Sequence, residues 1–279
     1  MTSTSFLSRM GDASRARVLR ARAQERESRL LARALATRVP PALRLGTFDV
    51  IAELKLRSPA AGSLAPLTFD RTAQIETYAR AGAAAISVLT EPDEFHGHLD
   101  HLREAAARLG MGCPVMRKDF LTDPYQIIEA RAAGAGGVLL IVGLLDDAEL
   151  DAMLACAREL GLFVLLEAFD ADDLARIARL DIDATRYTVL AGVNSRNLKN
   201  LEVDTERFAE LAPLLPALVP AVAESGIGDG EDVRRVAALG YRLVLVGAAL
   251  MRTDDPAMLL GELLAAGRTA VSEGRAPCS

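Results

Sequence analysis

Eight short apolar runs, each followed by a stretch with helical periodicity, constrain this chain more than any other feature. The runs fall at residues 50–54, 84–89, 114–116, 137–142, 163–166, 188–193, 219–223 and 243–246. Between them, segments 69–81 and 124–133 repeat apolar residues at three and four positions and stop at Gly82 and Gly134. Segments 146–160, 170–180 and 229–239 open on acids and close near basic or small residues, as a helix macrodipole favours. Strand alternating with helix implies a mostly parallel sheet. Eight such units over about 210 residues fit an α/β fold of the (β/α)8 TIM-barrel kind. The competing architecture is a doubly wound sheet. Gly226, Gly228 and Gly230 do not spell G-x-G-x-x-G, so a nicotinamide cofactor has no motif to bind it. Residues 5–38, rich in Ala, Arg and Leu, read as one or two helices ahead of the barrel. The expected organisation is an N-terminal helical extension, 1–46, packing on a barrel domain, 47–279.

Composition narrows the function classes. A hydrophobic content of 51% can fill a large core, and a net charge of −6 argues against a nucleic-acid partner that needs a broad basic surface. Cys113, Cys156 and Cys278 are odd in number and scattered, which fits a reducing cytoplasm rather than a disulfide framework. No apolar stretch approaches the roughly 20 residues of a membrane span. The Arg- and Ser-rich start faintly resembles a transit sequence, but Asp12, Glu25 and Glu27 weaken that, and an exposed basic helix is the simpler account.

Barrel enzymes carry their chemistry at the C-terminal ends of the strands. Here those ends supply Glu53 and Lys55, Thr90 and Glu91, Lys118 and Asp119, Glu167, Asn194 and Arg196, Glu224 and Ser225, and Gly247. Lys118 shares a strand face with Met116 and Phe120, which is costly unless it sits at an open end of the core. There, partial desolvation would make its ammonium a useful proton donor. The alternative is a lysine that snorkels into water. Two lysines, several glutamates and an Asn/Arg pair on one rim point to catalysis, with a purely structural ion-pair network as the competing reading. Small residues in 224–231 and 247–251 suit close approach of backbone to a phosphate, and loops after the last two strands are where barrels commonly hold one. The histidines His96, His98 and His101 cluster without a supporting acid or Cys set, so a solvated loop and helix start fits better than a metal site.

Together these strings resemble the indole-3-glycerol phosphate synthase family, in order from about Val50 to Pro256. They are Ile51-Ala-Glu-Leu-Lys-x-x-Ser-Pro, Ile86-Ser-Val-Leu-Thr-Glu-Pro with Phe95 and Gly97, Arg117-Lys-Asp-Phe-x-x-Asp-Pro-Tyr-Gln-Ile, Asn194-Ser-Arg-Asn-Leu, Ala223-Glu-Ser-Gly-Ile and Leu245-Val-Gly-x-x-Leu-Met-Arg. The resemblance implies closure of an indole ring from 1-(2-carboxyphenylamino)-1-deoxyribulose 5-phosphate, with loss of carbon dioxide and water and no cofactor or metal. It implies that Lys118 is the general acid, that Glu167 and Glu53 assist later proton transfers, and that Lys55 and Asn194, with Arg196 nearby, hold the carboxylate or developing charge. Glu224 would orient the lysines. Ser225, Gly226, Gly247 and Ala248 would bind phosphate, Ser58 would border the site, and Pro59 and Phe95 would wall the aromatic ring. The expected partner is a phosphorylated small molecule, with no nucleic acid and no membrane, in a monomer or weak homo-oligomer.

The sequence departs from the family pattern at Ala60-Ala61, where Ser and a basic residue usually stand, and at Ala248-Ala249, which replace a polar pair. These changes imply weaker phosphate binding and altered loop contacts. They leave open a paralogue acting on a related N-aryl amino-sugar phosphate. A non-catalytic phosphate-ligand binder would require loss of Lys118 or Glu167, and both are present. Phosphoribosylanthranilate isomerase chemistry lacks its Cys/Asp pair at the right strand ends.

Overall fold

A computed structural model of the chain describes residues 5–58, 62–64, 69–182, 187–197 and 202–274. Pro59, Ala60 and Ala61, the Ser58 side chain and residues 183–186 lie outside the described residues.

The chain begins with two helices, α1 (Phe6–Gln24) and α2 (Glu27–Ala36). Ala, Arg and Leu have high helix propensity, and Ser5 caps α1 by accepting the Ser8 N–H at 3.1 Å. Eight parallel strands follow and close into a barrel: β1 (Asp49–Leu54), β4 (Ala85–Leu89), β5 (Val115–Lys118), β6 (Gly137–Ile141), β7 (Phe163–Ala168), β8 (Val189–Asn194), β9 (Ala221–Glu224) and β10 (Leu243–Val246). A two-stranded antiparallel hairpin, β2 (Arg57–Ser58) and β3 (Gly62–Ser63), rises from the loop after β1. The barrel closes where β1 pairs with β10, Asp49 opposite Leu243.

The outer helices are α3 (Arg71–Arg80), α4 (Leu99–Leu109), α5 (Pro124–Ala132), α6 (Asp147–Glu159), α7 (Ala171–Arg179), α8 (Arg207–Leu211), α9 (Gly230–Ala238), α10 (Ala248–Arg252) and α11 (Pro256–Glu273). Several begin at an acidic cap that accepts a backbone N–H of the first turn, as Asp70, Asp123, Asp146, Asp170, Asp229 and Asp255 do.

Strand alternation divides the apolar residues into two populations. Ile51, Ala85, Met116, Leu165, Leu190 and Val222 point into the barrel, while their neighbours Val50, Ile86, Val115, Val164, Ala191 and Ala223 pack beneath the helices. Both strand faces are covered, which is why the runs read as nearly continuous apolar stretches. Met10 of α1 joins the interior cluster, with Phe6 and Leu7 packed against it. Val18 meets Leu30 and Ala34 of α2 and Tyr125, Ile128 and Ala132 of α5.

The expected strands all form, with shifted ends. The seventh, β9, starts at Ala221 instead of 219, because Pro220 has no N–H to give a ladder. The third runs on to Lys118, so the lysine is itself a strand residue. His98 is the N-cap of α4, its Nδ1 accepting the Asp100 N–H at 3.1 Å.

Helix α11 contains a paired test of this packing. A methyl group at Gly267 would collide with the buried Phe48 ring, whereas nothing lies within 4 Å of one at Gly261. Gly267→Ala is expected to cost about 1–3 kcal/mol of unfolding free energy in urea. Gly261→Ala is expected to add roughly 0.5–1 kcal/mol by helix propensity. Equal effects at the two positions would contradict the packing of α11 on Phe48.

Candidate active site

The parity that fills the barrel also builds the site. Two residues beyond Ile51 stands Glu53; two beyond Met116 stands Lys118; two beyond Leu165 stands Glu167; two beyond Val222 stands Glu224. Each side chain therefore continues an inward-facing row to the barrel's C-terminal mouth. Register fixes their neighbours: Glu167 lies beside Gly192, and Asn194 beside Glu224. Lys55 and Arg196 follow by the same alternation. Glu53, Lys55, Lys118, Glu167, Asn194, Arg196 and Glu224 line one pocket, which encloses about 1020 Å³ including the part open to solvent.

Charges are packed tightly at its floor. The Lys118 ammonium donates to Glu167 Oε2 at 2.9 Å and stands 3.7 Å from Glu224 Oε2. Lys55 Nζ lies 2.5 Å from Glu53 Oε1. Glu53, Glu167 and Glu224 are all buried. Burial alone would depress the Lys118 pKa, but the charges of Glu167, Glu224 and Glu53 outweigh it and hold the ammonium above the ordinary lysine range. This corrects the expectation drawn from desolvation alone. Lys118 rests as a firmly protonated donor, suited to an oxygen that becomes strongly basic during reaction. Glu224 is raised as well, which for a carboxylate favours the neutral form: burial, then the charge of Glu167, push it well above the usual range, and Lys118 only partly opposes this. Neither Glu224 oxygen has a hydrogen-bond donor as an ionised group. As a neutral acid it can donate to Glu167, which removes the conflict.

A group whose folded pKa is raised contributes stability fully below its unfolded value and loses it as pH rises through the folded value. Glu224→Gln removes that loss. The variant and wild type are expected to melt together near pH 4.5 and to separate as pH rises. By pH 8 the variant's midpoint should be higher by roughly 2–4 °C per kcal/mol recovered. Superimposable Tm–pH curves would show that Glu224 is ionised in the folded protein.

The rim is organised by loops. Glu91, fully buried, accepts the N–H groups of Asp93, Glu94 and Phe95 at 3.0, 2.8 and 3.1 Å. That fold of the loop brings Phe95 to 6.2 Å from Phe120, ring to ring, and Phe6 of α1 packs on Phe120 at 6.0 Å. Asp119, beside Lys118, accepts from Thr90 at 2.8 Å and from the Phe120 N–H at 2.8 Å. Burial would raise its pKa, but Arg117 and Arg17 outweigh this and hold it below the usual carboxylate range.

Across the mouth, the Arg196 N–H donates to Asn194 Oδ1 at 2.9 Å, and burial lowers the Arg196 guanidinium against the pull of Glu53. Ser225 and Gly226 follow β9 with φ of 68° and 75°, a left-handed turn that is costly for the serine. The Ser195 hydroxyl donates to the Ser225 carbonyl at 3.0 Å and braces this turn. Gly247 must be small, since a Cβ there would stand 2.6 Å from Glu53 Oε1; Ala248 opens α10 behind it.

Of the residues singled out in the sequence, Glu53, Lys55, Phe95, Lys118, Glu167, Asn194, Arg196, Glu224, Ser225, Gly226, Gly247 and Ala248 share this pocket. Pro59 and the Ser58 side chain are outside the described residues. Three aromatic lining residues were not singled out as site residues: Phe6, Phe120 and Phe169. The last two follow Lys118 and Glu167 by two positions, so parity marks them. Nothing local marks Phe6, which arrives on a helix far away in sequence. Among the described residues, no group of three His, Cys, Asp or Glu side chains is placed to hold a metal, and His96, His98 and His101 form none.

A closed parallel barrel with an ammonium–carboxylate cluster at its C-terminal mouth defines a TIM-barrel enzyme. The sequence model of indole-3-glycerol phosphate synthase matches residues 11–263, and the chain belongs to that family. An indole-3-glycerol phosphate synthase of Kineococcus radiotolerans is 47% identical over 218 residues, covering 78% of this chain and 76% of that protein. One of Rhizorhabdus wittichii is 40% identical over 266 residues, covering 92% and 97%. Among solved structures, 3-hexulose-6-phosphate synthase from Salmonella typhimurium superposes with a TM-score of 0.62 at 16% identity, covering 80% of this chain and 99% of that one. That likeness shows the shared barrel fold.

Proposed function

We propose that this chain is an indole-3-glycerol phosphate synthase. It would close the indole ring of 1-(2-carboxyphenylamino)-1-deoxyribulose 5-phosphate and release carbon dioxide and water. The observation that carries this reading is Lys118 at the pocket floor, 2.9 Å from Glu167 and beside Glu224, in a pocket that Phe95 and Phe120 also line. Ring closure forms a bond from the aromatic carbon that bears the carboxylate to the ketone carbon, and builds negative charge on the ketone oxygen. An ammonium donating to that oxygen favours the transition state over the ground state. Loss of carbon dioxide then returns electrons to the cationic ring. Loss of the new hydroxyl as water needs an acid and a base, roles we assign to Glu167 and Glu53.

Lys55 and Asn194, with Arg196, would hold the departing carboxylate or the developing charge. Glu224 would set the position of Lys118. Phe95 and Pro59 would flank the aromatic ring, and Ser58 would border the site. Ser225, Gly226, Gly247 and Ala248 would receive the phosphate at the turn after β9 and the start of α10, through a hydroxyl and backbone amides. We read the enzyme as cytoplasmic, which the few scattered cysteines support, and as a monomer or weak homo-oligomer. We read residues 47–279 as one catalytic barrel and 1–46 as its helical cover.

Purified protein mixed with the carboxyphenylamino deoxyribulose phosphate is expected to generate indole absorbance. Binding of that compound without turnover would overturn the synthase reading in favour of a ligand-binding barrel.

A further inference from the structure

Helix α1 meets the barrel mouth through one arginine that ordinary helix docking does not require. Arg17 donates to Asp119 Oδ1 at 2.5 Å and to Glu91 Oε1 at 3.4 Å. Its side chain is 19% exposed, against 0% for Glu91 and 1% for Asp119. Two carboxylates buried to this degree on adjacent strand ends repel each other unless a cation lies between them. Asp119 has a second cation, Arg117, whose Nη2 lies 3.2 Å away. Glu91 Oε2 accepts the N–H groups of Glu94 and Phe95, and the Asp93 N–H shares Oε1 with Arg17.

What each carboxylate holds gives the bridge its meaning. Asp119 adjoins Lys118 in sequence and fixes the Phe120 amide; Glu91 folds the loop that presents Phe95. Lys118, Phe120 and Phe95 all line the pocket. We propose that Arg17 is a positioning residue: by clamping Glu91 and Asp119 it holds the Phe95 wall and the Lys118 strand end in register across the pocket. This rests on the synthase reading for its chemistry, though not for its geometry. Through Arg17 the N-terminal helix acts on the working site at a distance, in addition to the ring that Phe6 contributes to its lining.

Two readouts test the clamp. In Arg17→Ala, hydrogen exchange at the amides of Asp93, Glu94, Phe95 and Phe120 is expected to quicken, and kcat to fall by about 10-fold to 100-fold, the scale of a misplacement near 1 Å. Arg17→Lys keeps the charge and loses the two-armed fork, so it should recover part of both. The comparison is Arg22→Ala, which removes another ion-paired arginine of the same helix, bonded to Glu27 and Asp123. It is expected to lower Tm while leaving those amides and kcat as in wild type. Unchanged exchange in Arg17→Ala, or an equal loss of kcat in Arg22→Ala, would overturn the proposal. If the wild type made no indole product, the synthase reading would fail, and the exchange comparison would still decide the role of Arg17.

Discussion

Lys118→Ala is expected to lower kcat by about 10³-fold or more, with a much smaller change in KM. The ammonium is the group aimed from the pocket floor at the developing oxyanion, and its loss also leaves the buried Glu167 carboxylate without its cation partner. Indole absorbance at high enzyme concentration measures the first effect. Far-ultraviolet circular dichroism, in a protein without tryptophan, confirms that the barrel is still folded. A Lys118→Ala rate within 10-fold of wild type would transfer the acid role to another group. The electrostatics add a pH signature. Because its carboxylate neighbours hold the ammonium above the ordinary range, Lys118 should contribute no alkaline fall in kcat up to about pH 10. A fall near pH 8 would belong to another residue.

Gly192→Ala is expected to produce the next largest effect, from a site that carries no chemistry. Gly192 sits on β8 beside Glu167, and a Cβ there would collide with Glu224 Oε1 and stand 3.1 Å from Leu165 Cδ1. The added methyl must displace a carboxylate that contacts Lys118. Turnover should fall by about 10-fold to 100-fold, with a loss of about 1–3 kcal/mol in stability from overpacking. Shortening the obstructing side chain should restore the fold: Gly192→Ala with Glu224→Ala is expected to be more stable than Gly192→Ala alone. Wild-type kinetics in the single variant would mean that Glu224 has room to move without consequence.

The barrel was legible because its strands are buried on both faces and its helices carry acidic caps. Strand ends and parity then extended the reading to the site: Glu53 and Glu167 close their apolar runs, and Lys118 shares a face with Met116, which lies inside the barrel. What parity could not supply was anything that depends on docking between distant segments. Phe6 and Arg17 belong to a helix whose many arginines read as a solvated basic surface, yet one ring enters the pocket and one guanidinium is largely buried. The sign of the Lys118 shift was likewise invisible. Desolvation is readable from an apolar run, whereas the competing charge of three glutamates is known only once four strands are brought together. The strand beginning at 221 instead of 219 is a smaller miss, and Pro220 in the sequence already held its cause.

The Arg17 bridge also bears on how the enzyme is made. Its partners lie 74 and 102 residues later in the chain, and the barrel itself closes only when β10, starting at Leu243, reaches β1. A nascent chain thus completes its helical cover first and can seat it only after β4 and β5, whose ends carry Glu91 and Asp119, have been synthesised and folded. Contacts of such sequence separation form late and slowly. Catalytic competence should consequently trail the recovery of helical signal during refolding, so that a chain looks folded before it can work.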